Sequence, residues 1–271
     1  MTDSPNDSES GVHRRLSSTV TDADIADQLA EVDPNSLDAD EEKRVMQLRE
    51  RFIKKYQAAS IAYLRSKLKD SDVTNEVWHD FVTRWLEGRL STYDSEAGSF
   101  RRYMMTSLKN SVAAHWRRQG RGIEKRTVRL ADNHEIAQPG SDDDAASDAF
   151  YATLSSQVLN RAFYRLEAED TLQYEVMNLL RQASVDPDAD GVTTKMLAEH
   201  LGNVSNCRVS EDNAKKIKQR AKERYWLIVI DEIVAMTGEP GVDAVTSTLA
   251  DLKLLRYSGR GLEQYRKMRG E

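Results

Sequence analysis

DVTNEVWHDFVTRW at residues 72–85, STYDSEAGS at 91–99 and FRRYMMTSLKNSVAAHWRR at 100–118 decide how this chain is read. In the first segment Val73, Val77, Phe81 and Trp85 recur every fourth residue, one buried stripe of an amphipathic helix. In the last, Phe100, Met104, Leu108, Val112 and Trp116 make a second stripe and leave Arg101, Arg102, Lys109, Arg117 and Arg118 pointing elsewhere. An acidic helix beside a basic one predicts two charged surfaces that face two different partners.

Upstream, Val45, Leu48, Phe52, Tyr56, Ala59 and Tyr63 step by three and four through one long helix ending near Lys69. Asp70, Ser71 and Asp72 then form a turn and N-cap cluster. These three helices predict a domain over residues 41–120. Residues 1–40 are rich in Ser, Asp and Thr without helical periodicity, the composition of a disordered acidic tail. Residues 121–149 hold Gly122, Pro139, Gly140 and the acids 142–144 with no apolar stripe, and read as a flexible linker.

A second unit, 150–236, opens with Leu154, Val158, Ala162, Phe163 and Leu166 on one helix and Leu172, Val176, Met177 and Leu180 on another. Next comes TTKMLAEHLG at 193–202, with Thr at its start and Gly202 at its end. A connector over 203–209 leads to Ser210 as cap of the basic helix EDNAKKIKQR at 211–220. That is a helix-turn-helix pattern. Such a helix start offers free N–H groups to phosphate, and the side chains after it reach the major groove. Residues 225–230 are apolar all round their helix and must be buried, against the 150–182 helices. An extension over 237–271 carries a Gly-Glu-Pro-Gly break and Leu249, Leu252 and Leu255. Strand alternation and hairpin turns are missing from the sequence. The expected fold is all-α, two small helical domains joined by a linker.

Net charge is −6 over 271 residues, which argues against nucleic acid until its distribution is read. Residues 1–40 hold ten acids and two Arg, whereas residues 97–130 hold nine Lys/Arg against Glu124 alone. A basic block between acidic ones binds phosphate locally even in an acidic chain. One cysteine, Cys207, permits no internal disulfide, and no apolar leader or membrane span is visible, so a reducing cytoplasm is expected.

Other chemistries find little support. Residues 186–191, DPDADG, match the first half of a calcium loop, but its twelfth position is Leu197 where a bidentate acid is required. His79, His115, His134, His200 and Cys207 lack paired metal-ligand spacing. There is no nucleophile elbow, phosphate-binding Gly loop or carboxylate pair.

The order within 72–118 resembles region 2 of the small sigma factors of bacterial RNA polymerase, the extracytoplasmic-function type. That family reads Asp-Ala-Glu-Asp-Leu-Val-Gln-Glu-x-Phe where residues 72–81 read DVTNEVWHDF. Its Phe-Asp-x-Glu-x-Gly-Ser-Phe-Arg turn is similar to residues 93–101, YDSEAGSFR, and its basic ending to Lys109-Asn110, His115, Arg117 and Arg118. Asn75 and His79 stand where the family usually has acids, Trp78 replaces a common Gln and Ala114 a common Asp. The second unit is similar to region 4 through Ala198, Glu199, Leu201 and Gly202, then Ser210, Glu211 and Lys215. Its connector is longer than the family's turn. Lys218 falls where the family has an apolar core residue and Ile217 lies one position early, so the recognition register stays open by one residue.

The resemblance implies a sigma factor, not itself an enzyme and without cofactor or metal. Core RNA polymerase would be bound through Asn75, Glu76, His79 and Asp80. Minus-ten promoter DNA would be held and opened by Tyr93, Arg101, Arg102, Lys109, Asn110, Arg117 and Arg118. The minus-thirty-five element would be read by Ser210, Asn213, Lys215, Lys216, Lys218 and Arg220. An anti-sigma factor is a further partner that the family admits. Two alternatives stand beside it: a helix-turn-helix regulator that never touches polymerase, and a helical scaffold whose acidic tails bind a protein.

Overall fold

Helix starts and stops follow from local chemistry where the chain is described. The computed structural model describes residues 39–87, 100–123, 141–185 and 191–270, and among them every regular element is a helix. Helix α1 (Ala39–Leu68) ends where Lys69 turns left-handed, at φ 56°. Asp70 then caps α2 (Ser71–Leu86), its carboxylate accepting from the amides of Asp72 at 2.8 Å and Val73 at 3.0 Å. Such a cap contributes about 1 kcal/mol. Helix α3 is Phe100–Ile123.

Phe52 of α1 gathers the aromatic residues of all three, its ring 4.5 Å from Trp85 and 4.6 Å from Phe100. Trp78 is also buried. Trp116 is not: it was expected on the buried stripe of α3, and it is 50% exposed. The stripe outruns the surface that covers it, so its last member meets water.

Helix α4 (Ser141–Glu169) begins nine residues before the boundary expected at residue 150. Ala146, Phe150, Leu154, Val158, Ala162 and Leu166 form one buried line at four-residue steps. The stretch 142–144, read as a linker signal, lies in the first turn of this helix. This line packs along α1, with Phe150 stacked parallel to Tyr56 at 6.4 Å.

Asp170 separates α4 from α5 (Thr171–Val185) and accepts from the Gln173 amide at 2.9 Å. Then come α6 (Thr194–Ser205), α7 (Glu211–Thr237), α8 (Val242–Asp251) and α9 (Gly259–Arg269). Gly202, expected to end α6, lies within it, and Asn206 at φ 53° provides the left-handed end.

Two apolar clusters result among the described residues. The larger joins α1 to α4 with the second half of α7, α8 and α9. The smaller joins α5, α6 and the first half of α7 around Val176, Leu197, Leu201, Ala214 and Ala221. The division expected at 121–149 therefore falls elsewhere, partway along α7. The apolar run 225–230 is indeed packed against α4: Tyr225 donates to the Leu159 carbonyl at 3.2 Å, and burial pushes its phenol up to about 12 against the opposing field of Arg181. Lys55 of α1 donates to the Met236 carbonyl at 3.0 Å, tying α1 to the end of α7.

Arg165 and Glu169 of α4 meet Asp231, Glu232 and Arg224 of α7 in one ion-pair network. Burial raises the Glu169 carboxyl, but hydrogen bonds from Arg165 and Arg224 outweigh it and hold the group below the usual glutamate value.

Candidate nucleic-acid interface

The small cluster builds a helix-turn-helix from its caps outward. Thr193 Oγ1 accepts from the Met196 amide at 3.2 Å, starting α6, and Ser210 Oγ accepts from the Asn213 amide at 3.3 Å, starting α7. Ala214 and Ala221 face inward, with Ile217 packed beside them. That settles which residues of α7 are core-facing. Asn213, Lys215, Lys216 and Arg220 are exposed on the other side. Lys218 is only half-buried, and loss of water there, aided by Lys222, lowers its ammonium pKa from the usual lysine value. It lies beside the packed face, an edge position with less reach than its neighbours. Ser210 uses its hydroxyl as the helix cap. Lys215 makes a loose exposed pair with Asp212 at 3.7 Å, which leaves its charge available.

Between α6 and the connector lies an open groove of ≈ 1130 Å³, lined by Lys195, Asn203, Arg208 and Ser210 among others. Cys207 is exposed at its edge, its sulfur 3.0 Å from Ser205 Oγ.

The expected minus-ten surface divides into two groups. Arg102, Lys109, Asn110, Arg117 and Arg118 are exposed along α3. Arg101 is not available: it is 4% exposed and donates to Thr248 Oγ1 at 2.9 Å and Asp251 Oδ2 at 3.2 Å. This corrects its placement as a DNA contact. Its helix position shows why, because Arg101, Met105, Leu108 and Val112 share a buried line that Met105 could have disclosed. Tyr93 lies outside the described residues.

On α2, Asn75, Glu76 and His79 are exposed. Asp80 is half-buried and receives Arg118 Nη2 at 2.6 Å, while Glu76 lies 3.9 Å from His115 Nδ1. The acidic and basic faces thus meet along the α2–α3 seam through Asp80 and Arg118. Helices α2 and α3 run side by side, with Arg84 also donating to Ser111 Oγ at 2.8 Å.

Two features were missed by sequence reasoning. Trp116 is half-exposed on α3, next in sequence to Arg117 and Arg118 and with its ring 5.6 Å from that of His115, and an exposed indole in a basic helix suits base stacking. Cationic residues of α9 line a groove against α7. The run RKMR at 266–269 was the available signal for the second feature. No helix among the described residues is long and apolar enough to cross a membrane. No protein-family model matches the chain, and neither a curated protein nor a solved structure is significantly similar to it.

Proposed function

We propose that this chain is a sigma factor of the extracytoplasmic-function type, one that brings core RNA polymerase to promoters and helps open them. One observation carries the reading: a capped helix-turn-helix with an exposed cationic second helix follows, in the same chain, the residue order of 72–118. Neither feature alone separates a polymerase subunit from an ordinary regulator.

In this reading Asn75, Glu76 and His79 meet polymerase, with Asp80 at the edge of that face. Arg102, Lys109, Asn110, Arg117 and Arg118 hold the minus-ten phosphates, and Trp116 stacks on an unpaired base. Opening DNA costs unstacking energy, which base capture on an aromatic face offsets by about 1–3 kcal/mol per base. Asn213, Lys215, Lys216 and Arg220 face the major groove of the upstream element, with Lys218 at the margin. Polymerase performs the chemistry.

The test is co-purification of the full chain with core polymerase, followed by transcription from a library of random duplex promoters. Association with specific initiation supports the reading, and failure to associate sinks it. A second reading, a helix-turn-helix regulator without polymerase, draws on the Asp80–Arg118 pair and the burial of Arg101, which occupy three residues of the polymerase and minus-ten sets. Duplex binding without polymerase association would decide for it.

A further inference from the structure

Resting on the helix-turn-helix reading above, we propose that α9 and the outward face of the first half of α7 form one cationic surface that grips the phosphate backbone of duplex DNA. The extension would thus lengthen the contact made by the recognition helix.

Helix α9 docks on the side of α7 turned away from the small cluster. A groove of ≈ 310 Å³ separates Gln219 and Glu223 of α7 from Arg260, Glu263, Gln264 and Lys267 of α9. Lys216, Gln219 and Glu223 are three and four residues apart, so they share one stripe, with Lys216 one turn beyond the groove. The docking is tight. A Cβ at Gly261 would lie 2.4 Å from the Trp226 Cβ, and Tyr265 donates to the Pro240 carbonyl at 2.6 Å.

The cations on this surface remain accessible. Arg260 lies 3.9 Å from Glu223 with its side chain 70% exposed, and Lys267 lies 3.2 Å from Glu263 with 73% exposed. Exposed pairs of this kind contribute little, and each cation keeps further donors for phosphate. Residues 252–270 hold six Lys/Arg against Glu263 alone. The negative end of the helix dipole accounts for the cations in the last turn. It does not account for Arg260, which sits in the first turn, where the dipole opposes a cation and the helix itself carries no acid; its partner Glu223 belongs to α7 and lies 3.9 Å away. A phosphate backbone alongside would add a second anion to this loose, exposed pair.

The experiment measures binding of the full chain to mixed-sequence duplex DNA across a salt series, for the parent and for Arg260→Ala/Lys267→Ala. Loss of two phosphate contacts should reduce the slope of log affinity against log salt by about 1.8. Arg260→Lys/Lys267→Arg should keep the parental slope. Lys267→Gln alone should lose about 0.9 and serves if the double variant melts early. Equal slopes for the parent and the alanine variant overturn the proposal. So does a parent that binds no duplex. Core polymerase association is scored separately, and where it persists in those cases the sigma reading survives without this surface.

Discussion

Arg101 donates to Thr248 and Asp251 while Arg102, one residue on, faces solvent, so one substitution should have two different outcomes. Arg101→Ala removes a buried charge-assisted contact and leaves Asp251, 28% exposed, partly rehydrated. The expected loss is about 1–3 kcal/mol of unfolding free energy. Arg102→Ala should stay within about 0.5 kcal/mol of the parent. Urea midpoints would measure both, and equal midpoints would mean that the Arg101 contact contributes nothing. Gly261→Ala belongs at the same scale. Its new methyl must displace Trp226 or the α9 backbone, at a cost of about 1–3 kcal/mol, read as a drop in Tm.

Two elements bear on how the helix-turn-helix is held. Ser210→Ala removes the α7 cap, worth about 1 kcal/mol. Hydrogen exchange should speed up in α6 and the first turns of α7, since these share the small cluster, while α1 keeps its protection. Uniform acceleration everywhere would instead mean that both clusters open together. The α4–α7 network predicts a pH dependence. The Glu169 pKa is depressed in the folded state, so its contribution is present above the unfolded-state value and lost as pH falls through the folded-state value. Glu169→Gln should therefore narrow the stability gap between neutral pH and the acid side of the ordinary glutamate range. Thermal unfolding of both forms at two pH values checks this; an unchanged gap would show that Arg165 and Arg224 do not stabilise the carboxylate.

At the scale of the whole molecule, α7 is a continuous bar about 40 Å long, with the exposed lysines of its first half at one end and the large cluster at the other. The helix-turn-helix is thereby fixed to the body that carries α2 and α3. The separately folding halves suggested by the polar stretch at 121–149 do not fit this arrangement. A chain ending at Gly120 would lose the whole α4 line from Ala146 to Leu166 and expose the face of Tyr56 that Phe150 covers. Burying one such aromatic or leucine side chain contributes about 1.5–3 kcal/mol, so losing the line exceeds the margin of a small domain. This fragment should show no near-ultraviolet dichroism and no cooperative melt. A sharp melt would establish that α1 to α3 suffice.

The sequence by itself determined where helices lie, which residues cap them and which face of each is apolar, because those properties depend on neighbours within four residues. The Asp70 and Ser210 caps and the α1 line were legible for that reason. Most of the candidate cations were also legible, since Lys and Arg off an apolar stripe usually reach water. Only the tertiary structure decided which partner covers each face. Arg101 meets residues 147 and 150 positions away, and Arg118 meets Asp80 38 positions away. Periodicity tells which side of a helix is buried; it holds no information about which distant segment arrives there, or where that cover stops and leaves a Trp116 exposed.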